Sequence, residues 1–238
     1  AGRMFSCSRG SGTRGGMYRI KYGDTVAKQE TPMTVEQVVA QPMRRSAWGR
    51  YALEQAKQIM GAEWERGLVT FARNAQAPAE QRIAALEALQ AHGPAPSLSL
   101  LKKLVKDENA DVRAFAVYLL GLHSLKSVKK PLTATLDDTD ALVQRRKIES
   151  LVRAGWDTNV KVNANDAVVA KLIVLLNSED LYVRGSARVA LERTTREAWA
   201  EQVLALDSAK EPRALIEGLV ALIHTQKSAA DMDAVFNK

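Results

Sequence analysis

The segment DVRAFAVYLLG, residues 111–121, decides the fold of this chain. An acidic residue leads into Val112 and Arg113, and a run of small and aliphatic side chains follows. The apolar residues recur three and four positions apart, a spacing that predicts a helix with a buried face rather than a strand. The small side chains in the run also allow close packing against a second helix. The segment therefore predicts one unit of a helical architecture.

The same pattern recurs along the chain at intervals near 30 residues. Its marker is the position of Arg113, and successive markers are separated by 32, 31, 31, 40 and 29 residues. The six markers are Arg50, Arg82, Arg113, Gln144, Arg184 and Arg213. Apolar segments at helical spacing lie between them and predict a second helix per unit, as at 97–106, 128–136 and 168–176. Two helices per period of about 30 residues indicate a solenoid, in which each helix pair buries its apolar face against its neighbours.

This pattern resembles the HEAT repeat, specifically the short repeats grouped with phycobilin-lyase-like proteins. The resemblance rests on an Asp-containing turn, the dipeptide Val-Arg and a helix rich in small residues, as in DVR at 111–113 and YVR at 182–184. It implies an all-α fold, a right-handed solenoid of about six stacked helix pairs preceded by a short extended segment. Gln144 stands where arginine is usual, so we expect a ladder of arginines to be interrupted there.

Acidic turns precede several of the marker positions. Asp107 and Asp111 flank one such turn, Asp138 and Asp140 the next, and Asp180 a third. Carboxylates at these places are expected to cap the first amides of a helix, where the positive end of the helix dipole also favours them. The recurrent arginine is expected to bridge to the turn of the neighbouring repeat.

Composition and charge divide the chain into four predicted parts. They are a basic arm with one β-strand at 1–33, a linker or short helix at 34–45, the solenoid at 46–224, and a tail or final helix at 225–238. Residues 1–50 hold nine Lys and Arg against three acids, whereas residues 51–238 hold 25 against 24. The excess positive charge therefore belongs to the arm, which makes nucleic-acid binding by the solenoid an unfavoured hypothesis.

The bulk composition excludes several classes of site and protein. The single cysteine, Cys7, excludes an internal disulfide, a CxxCH haem site and a zinc site built from several cysteines. No apolar run reaches the roughly 18 residues that span a bilayer, so we expect a soluble chain with no membrane span. The chain begins at Ala1 without the apolar stretch of a signal peptide, and we interpret it as a processed product or a piece of something longer.

The basic arm contains a segment that alternates in the manner of a strand, at residues 17–22. A lone strand is not stable by itself. We therefore expect this one, which carries Tyr18 and Tyr22, to join a β-sheet that is not part of its own chain.

The arm also carries a second resemblance. The segment GGMYRIKY, residues 15–22, resembles the closing strand of the β-propeller in bacterial proteins similar to glucose/sorbosone dehydrogenases. In large members of that group the propeller is followed by HEAT repeats and often by a c-type cytochrome domain. The resemblance implies that this chain is the central section of a bacterial multidomain or multisubunit redox assembly, in the periplasm or at the cell surface. Without the resemblance, a cytoplasmic location is expected.

Three histidines are the candidates for ligand chemistry. His92, His123 and His224 follow their markers by 10, 10 and 11 residues, so they occupy equivalent positions near the end of each first helix. Stacking could place His92 and His123 face to face, and imidazole is a common metal and haem ligand. No nearby cysteine or HxxxH partner completes a site, however, and a helix C-terminus favours histidine through the dipole. We therefore predict a structural role, with no catalytic, cofactor-binding or metal-binding residues.

Lysines and one tryptophan are the candidates for partner contact. The predicted partner-binding residues are Lys102, Lys103, Lys106, Lys126, Lys129, Lys130, Trp156, Tyr18 and Tyr22. The six lysines lie on two consecutive second helices and could form a stripe that meets phosphate or an acidic protein. Trp156 begins a polar insertion at 156–165, where an exposed tryptophan would serve as an interface anchor. By contrast, Trp48 and Trp64 are expected to pack the N-terminal end of the solenoid.

These patterns predict a non-catalytic scaffold for protein–protein interaction, with no cofactor of its own. Redox chemistry would belong to a parent protein, a sorbosone-dehydrogenase-like oxidoreductase. The alternative function is DNA or RNA binding, as in a HEAT protein related to HEAT-like DNA glycosylases. A third hypothesis, a chromophore-lyase-like enzyme, rests on the repeat subtype alone.

Overall fold

The computed structural model of the chain describes residues 4–8, 16–20, 31–133, 136–156, 166–226, 233 and 235. The chain separates into two compact units, Ala1–Thr31 and Pro32–Lys238. Most of the insertion predicted at 156–165 and most of the tail at 225–238 lie outside the described residues, as does Tyr22.

The described residues of the first unit form two strands, β1 (Met4–Ser8) and β2 (Gly16–Ile20). They pair antiparallel, with Met4 opposite Ile20 and Ser8 opposite Gly16. The prediction that the strand near Tyr18 has no partner in its own chain is therefore wrong. A second extended segment lies only seven residues upstream, close enough along the chain for the two to pair as a hairpin.

The second unit is built from helices. They are α1 (Val35–Ala40), α2 (Ala47–Met60), α3 (Ala62–Arg73), α4 (Ala79–His92), α5 (Leu98–Leu104), α6 (Ala110–Leu120), α7 (Leu125–Thr133), α8 (Ala141–Arg153), α9 (Ala167–Leu175), α10 (Leu181–Glu192), α11 (Ala200–Leu204) and α12 (Pro212–His224). The marker residues lie on α2, α4, α6, α8, α10 and α12, which we call the first helices. The second helices are α3, α5, α7, α9 and α11. The predicted all-α solenoid of repeated helix pairs is confirmed.

The helices stack in the manner that the repeat predicts. Each first helix packs against the next first helix, and each second helix packs against the first helix that follows it. Small residues set the closest approaches. A Cβ atom added at Gly121, just after α6, would lie 2.7 Å from the Cβ of Ser150 on α8. The Ser150 hydroxyl in turn donates a hydrogen bond of 3.0 Å to the Val117 carbonyl, which ties the two helices together.

Capping residues fix where the helices begin. The carboxylates of Asp140 and Asp180 accept hydrogen bonds from the amides of Val143 and Val183, at 3.0 and 2.8 Å. These two carboxylate caps were predicted. At α6 the cap is the side chain of Asn109 rather than that of Asp111. Each cap satisfies an amide that has no partner within its own helix.

Three of the four tryptophans are buried in the helical core. Trp64, Trp156 and Trp199 are each at most 1% exposed, whereas Trp48 is 47% exposed. The predicted exposure of Trp156 is therefore wrong. Trp156 lies just beyond α8, and its large apolar ring joins the core, because burying the indole gains more than exposing it beside the polar residues that follow. Within the described residues, no helix is long and apolar enough to cross a membrane.

Candidate functional site

Ion pairs that are largely shielded from solvent connect successive repeats. The guanidinium of Arg82 on α4 forms a two-pronged ion pair with Asp107, in the turn before α6. One repeat later, Arg113 on α6 makes the same contact with Asp138, at 2.9 and 3.0 Å. Each acidic residue also accepts a hydrogen bond from the backbone two residues further on. The predicted bridge from the recurrent arginine to the neighbouring turn is present at these two junctions.

The arginine ladder is interrupted at the fourth marker position, as predicted. Gln144 reaches only the backbone carbonyl of Asp138, at 2.6 Å. Lys147, one turn further along α8, adds a second cation to the pair: its Nζ lies 3.2 Å from Asp138, and its side chain is 0% exposed. A fully buried lysine was not predicted, because nothing in its local sequence distinguishes it from the half-buried Arg145 and Arg146 beside it.

The electrostatics of these carboxylates follow from their partners. Burial acts to raise the pKa of Asp138, but hydrogen bonds from Arg113 and the Asp140 amide, with the charge of Lys147, lower it to about 2. Burial likewise opposes the hydrogen bond from Arg82 at Asp107, and the net pKa of that carboxyl is lowered. For Lys147, burial lowers the pKa, and Asp138 only partly offsets that effect. The site is therefore a set of fixed structural charges.

Stability is expected to fall in acid because of these pairs. A carboxyl whose pKa is lower in the folded state stabilises the fold above its unfolded value of 3.8, and that contribution disappears as the pH falls toward 2. We expect the loss at Asp138 to be about 1–2 kcal/mol between pH 6 and pH 2.5. Urea unfolding at both pH values would measure it. Asp138→Asn should show a smaller drop than the wild type, and an equal drop would contradict the assignment.

Exposed large apolar side chains are concentrated on the first helices. Among the described residues, 13 large hydrophobic side chains are exposed, and nine of them lie on first helices. These nine are Trp48, Tyr51, Ile59, Leu142, Leu181, Tyr182, Val189, Ile216 and Ile223. Arginines lie between them, and the Arg145 guanidinium stands 5.0 Å from the centre of the Tyr182 ring. Aromatic residues and arginine are the types enriched at protein interfaces.

A groove runs across the first helices α2, α4, α6 and α8. Its volume is about 960 Å³, and its lining includes Ile83, Phe115 and Tyr118 together with Arg50 and Arg146. The rings of Phe115 and Tyr118 stack with centroids 5.8 Å apart. The groove thus combines an aromatic floor with charged edges.

The second helices carry lysines instead. Lys102, Lys103 and Lys106 lie on or just after α5, and Lys126, Lys129 and Lys130 lie on α7. Five of the six are exposed and Lys129 is half-buried. No carboxylate in the described part of the chain lies within ion-pairing distance of these lysines, and α5 and α7 contain no acidic residue. Both helices pack against α6, and we call these six lysines the lysine patch.

Comparison with known families agrees with this architecture. A family model for HEAT repeats matches residues 66–152 and 97–192, which together cover more than half of the chain. This chain belongs to the HEAT-repeat family. HEAT repeats are typically scaffolds for protein interaction and are generally non-catalytic. No match was found among curated proteins.

Two of the three histidines of this HEAT-repeat chain pair with carboxylates from the preceding first helix. The Nδ1 of His92 lies 3.0 Å from Glu54 on α2, and that of His224 lies 2.8 Å from Glu192 on α10. His92 also packs edge-on against Trp64, with ring centroids 6.1 Å apart. The described residues contain no group of three or more histidine, cysteine or acidic side chains that could hold a metal ion.

Within the helical unit, the predicted partner-binding residues do not lie on one surface, because Trp156 is buried. The six lysines form the lysine patch, Trp156 lies in the core, and Tyr18 belongs to the separate hairpin. Sequence reasoning missed the groove and the exposed apolar residues on the first helices. The exposed apolar residues could have been found by counting large apolar side chains on the side of each first helix that was expected to be polar.

Proposed function

We propose that this HEAT-repeat chain is a non-catalytic scaffold that binds a partner protein through the outward side of its first helices. The observation that carries the proposal is the concentration of exposed large apolar side chains there, with Leu181 and Tyr182 each at least 60% exposed. Covering exposed apolar groups of this size with a partner protein is favourable, because it removes apolar surface from water. The arginines between them add directional contacts to a carboxylate or an aromatic ring.

We further propose that the scaffold is a section of a larger bacterial assembly, in which redox chemistry belongs to other domains or subunits. The hairpin supports this proposal. Its sheet has two strands in the described residues, and a two-stranded sheet is marginally stable alone in water. Pairing of the strand that carries Tyr18 with a neighbouring β-sheet would extend it. The assembly is accordingly proposed to be periplasmic or at the cell surface.

The assembly can be tested by native mass spectrometry of the protein purified from its natural host. We expect the wild type to appear in a complex, and the double variant Leu181→Ala/Tyr182→Ala to reduce the bound fraction at least tenfold, because it removes two exposed anchors. Val174→Ala is the matched control, since Val174 is 60% exposed but lies on the second helix α9. A wild-type monomer, or equal loss in the control, would contradict the proposal.

The alternative function is nucleic-acid binding, and the lysine patch is the observation that favours it. Six lysines without a nearby carboxylate could neutralise successive phosphates along the backbone of a nucleic-acid duplex. The near-neutral charge of residues 51–238 argues against a larger footprint. Failure of duplex DNA and RNA to bind at about 50 mM salt would exclude this alternative.

A further inference from the structure

The groove across α2, α4, α6 and α8 is shaped for a ligand that fills it from end to end. First helices of four consecutive repeats line its volume of about 960 Å³. Packed helices lie about 8–10 Å apart, so the groove crosses about 25 Å. An extended chain covers about 3.3 Å per residue, and about eight residues would therefore span it.

The floor of the groove has an aromatic surface against which a ligand side chain can pack. Phe115 and Tyr118 stack on each other, and both are only partly buried. The guanidinium groups of Arg146 and Arg153 lie 5.7 and 4.8 Å from the centre of the Tyr118 ring. These contacts hold the ring in place before anything binds, which lowers the entropic cost of binding against it.

The charges around this floor leave a surplus of arginine. Arg44 and Arg45 share one carboxylate, that of Glu87. On the other side, Arg145 and Arg146 share Glu149. Each shared carboxylate balances only one of its two arginines.

Two further arginines have no acidic partner among the described residues. In the described part of the chain, neither Arg50 nor Arg153 has a carboxylate within ion-pairing distance. The unshared acids at the groove are Glu80 and Asp111, each in the first turn of its helix, where the dipole stabilises it. The residues that line the groove include four arginines, at 44, 45, 50 and 146, but only three carboxylates, those of Glu80, Glu87 and Asp111, and this excess of positive charge favours an anionic occupant.

We propose that this groove binds a short acidic segment of a partner protein. An aromatic or large aliphatic side chain of that segment packs against Phe115 and Tyr118. Its carboxylates pair with Arg50 at one end and Arg146 at the other. The inference rests on the proposed scaffold function. It adds a class of ligand, an acidic peptide segment, for the groove. The exposed apolar residues on α10 and α12 support binding of a partner protein but do not indicate its charge.

The experiment is selection of a random dodecapeptide phage library on the purified full chain. We expect the enriched peptides to carry net negative charge and at least one aromatic or large aliphatic residue. We also expect the Kd of a synthetic enriched peptide to rise at least tenfold in Arg50→Glu/Arg146→Glu. Arg50→Glu alone should give a smaller rise, and it tests the site without disturbing the pair between Arg146 and Glu149.

A matched control reverses two charges on the lysine patch. Lys102→Glu/Lys103→Glu is expected to change the Kd less than threefold, because those lysines lie on the second helix α5. Thermal unfolding of each variant checks that it is folded. Neutral or basic enriched peptides, no enrichment above uncoated beads, or an equal loss in the control would each overturn the proposal.

The outcome is separable from the test of the scaffold function. If the native complex depends on Leu181 and Tyr182 but the library yields no acidic binder, the groove inference fails and the scaffold function stands. If acidic peptides bind the groove while the native protein is a lone monomer, the assembly fails and the groove remains a peptide site.

Discussion

Asp138→Ala is expected to lower the free energy of unfolding of the helical unit by about 3 kcal/mol. The carboxylate of Asp138 holds Arg113 by two hydrogen bonds and lies 3.2 Å from the fully buried Nζ of Lys147. Its removal takes away the carboxylate that lies beside a lysine inside the core and breaks the ion pair with Arg113. Loss of a carboxylate that pairs with buried cations is among the largest single destabilising effects known for point mutations. Urea unfolding at pH 7, followed by circular dichroism, measures the loss.

The neighbouring Asp137 supplies the matched control. It pairs with Lys171 but is 75% exposed, and exposed ion pairs contribute about 0–1 kcal/mol. Asp137→Ala should therefore change stability little. Adding Lys147→Met to Asp138→Ala should recover part of the loss, because a buried methionine needs no counter-charge. If Asp138→Ala and Asp137→Ala prove equally mild, the ion pairs between repeats do not stabilise the stack as argued.

Trp64→Ala is expected to cost about 3–5 kcal/mol, since it empties a large part of the core. Trp64 is 1% exposed, and its indole donates a hydrogen bond of 2.9 Å to the carbonyl of Gly93. The ring also supports His92 edge-on. The substitution thus removes contact between α3 and the end of α4 as well as buried apolar area. The shift of the urea midpoint, with the slope checked for constancy, measures the effect.

Trp48→Ala is the control, on the same type of residue 16 positions earlier. Because Trp48 is 47% exposed, we expect a loss of about 1 kcal/mol or less. A similar loss of unfolding free energy at both positions would show that the difference in burial between Trp48 and Trp64 does not determine their contributions to stability. The comparison also bears on the sequence interpretation, which assigned both of them to packing the N-terminal end.

The repeat pattern predicted the fold because it is local and periodic. In several units an acidic turn, a marker position that is usually arginine and small apolar residues follow one another within about ten positions, as around Arg113. Each unit can bury its apolar face only against the next, so stacking follows from the pattern itself. The interruption at Gln144 was predictable on the same ground, because amide and guanidinium side chains differ in charge and in reach.

Side-chain burial was less predictable where the chain leaves the pattern. Trp156 lies next to polar residues, and its sequence context predicted exposure, yet it is 0% exposed. The burial of Lys147 likewise depends on where Asp138 of the preceding turn lies. Neither fact is encoded within a few residues of the side chain concerned.

By itself, the sequence determined the helices, their repeat period, the caps at Asp140 and Asp180, and the lysines on or next to α5 and α7. Those features depend on local propensity and on spacing along one helix. Only the tertiary structure decided that the strand near Tyr18 pairs with its own chain and that Arg50, Phe115 and Arg146 border one groove. These residues lie in different repeats, and the stacking of whole helices, rather than any local pattern, brings them together.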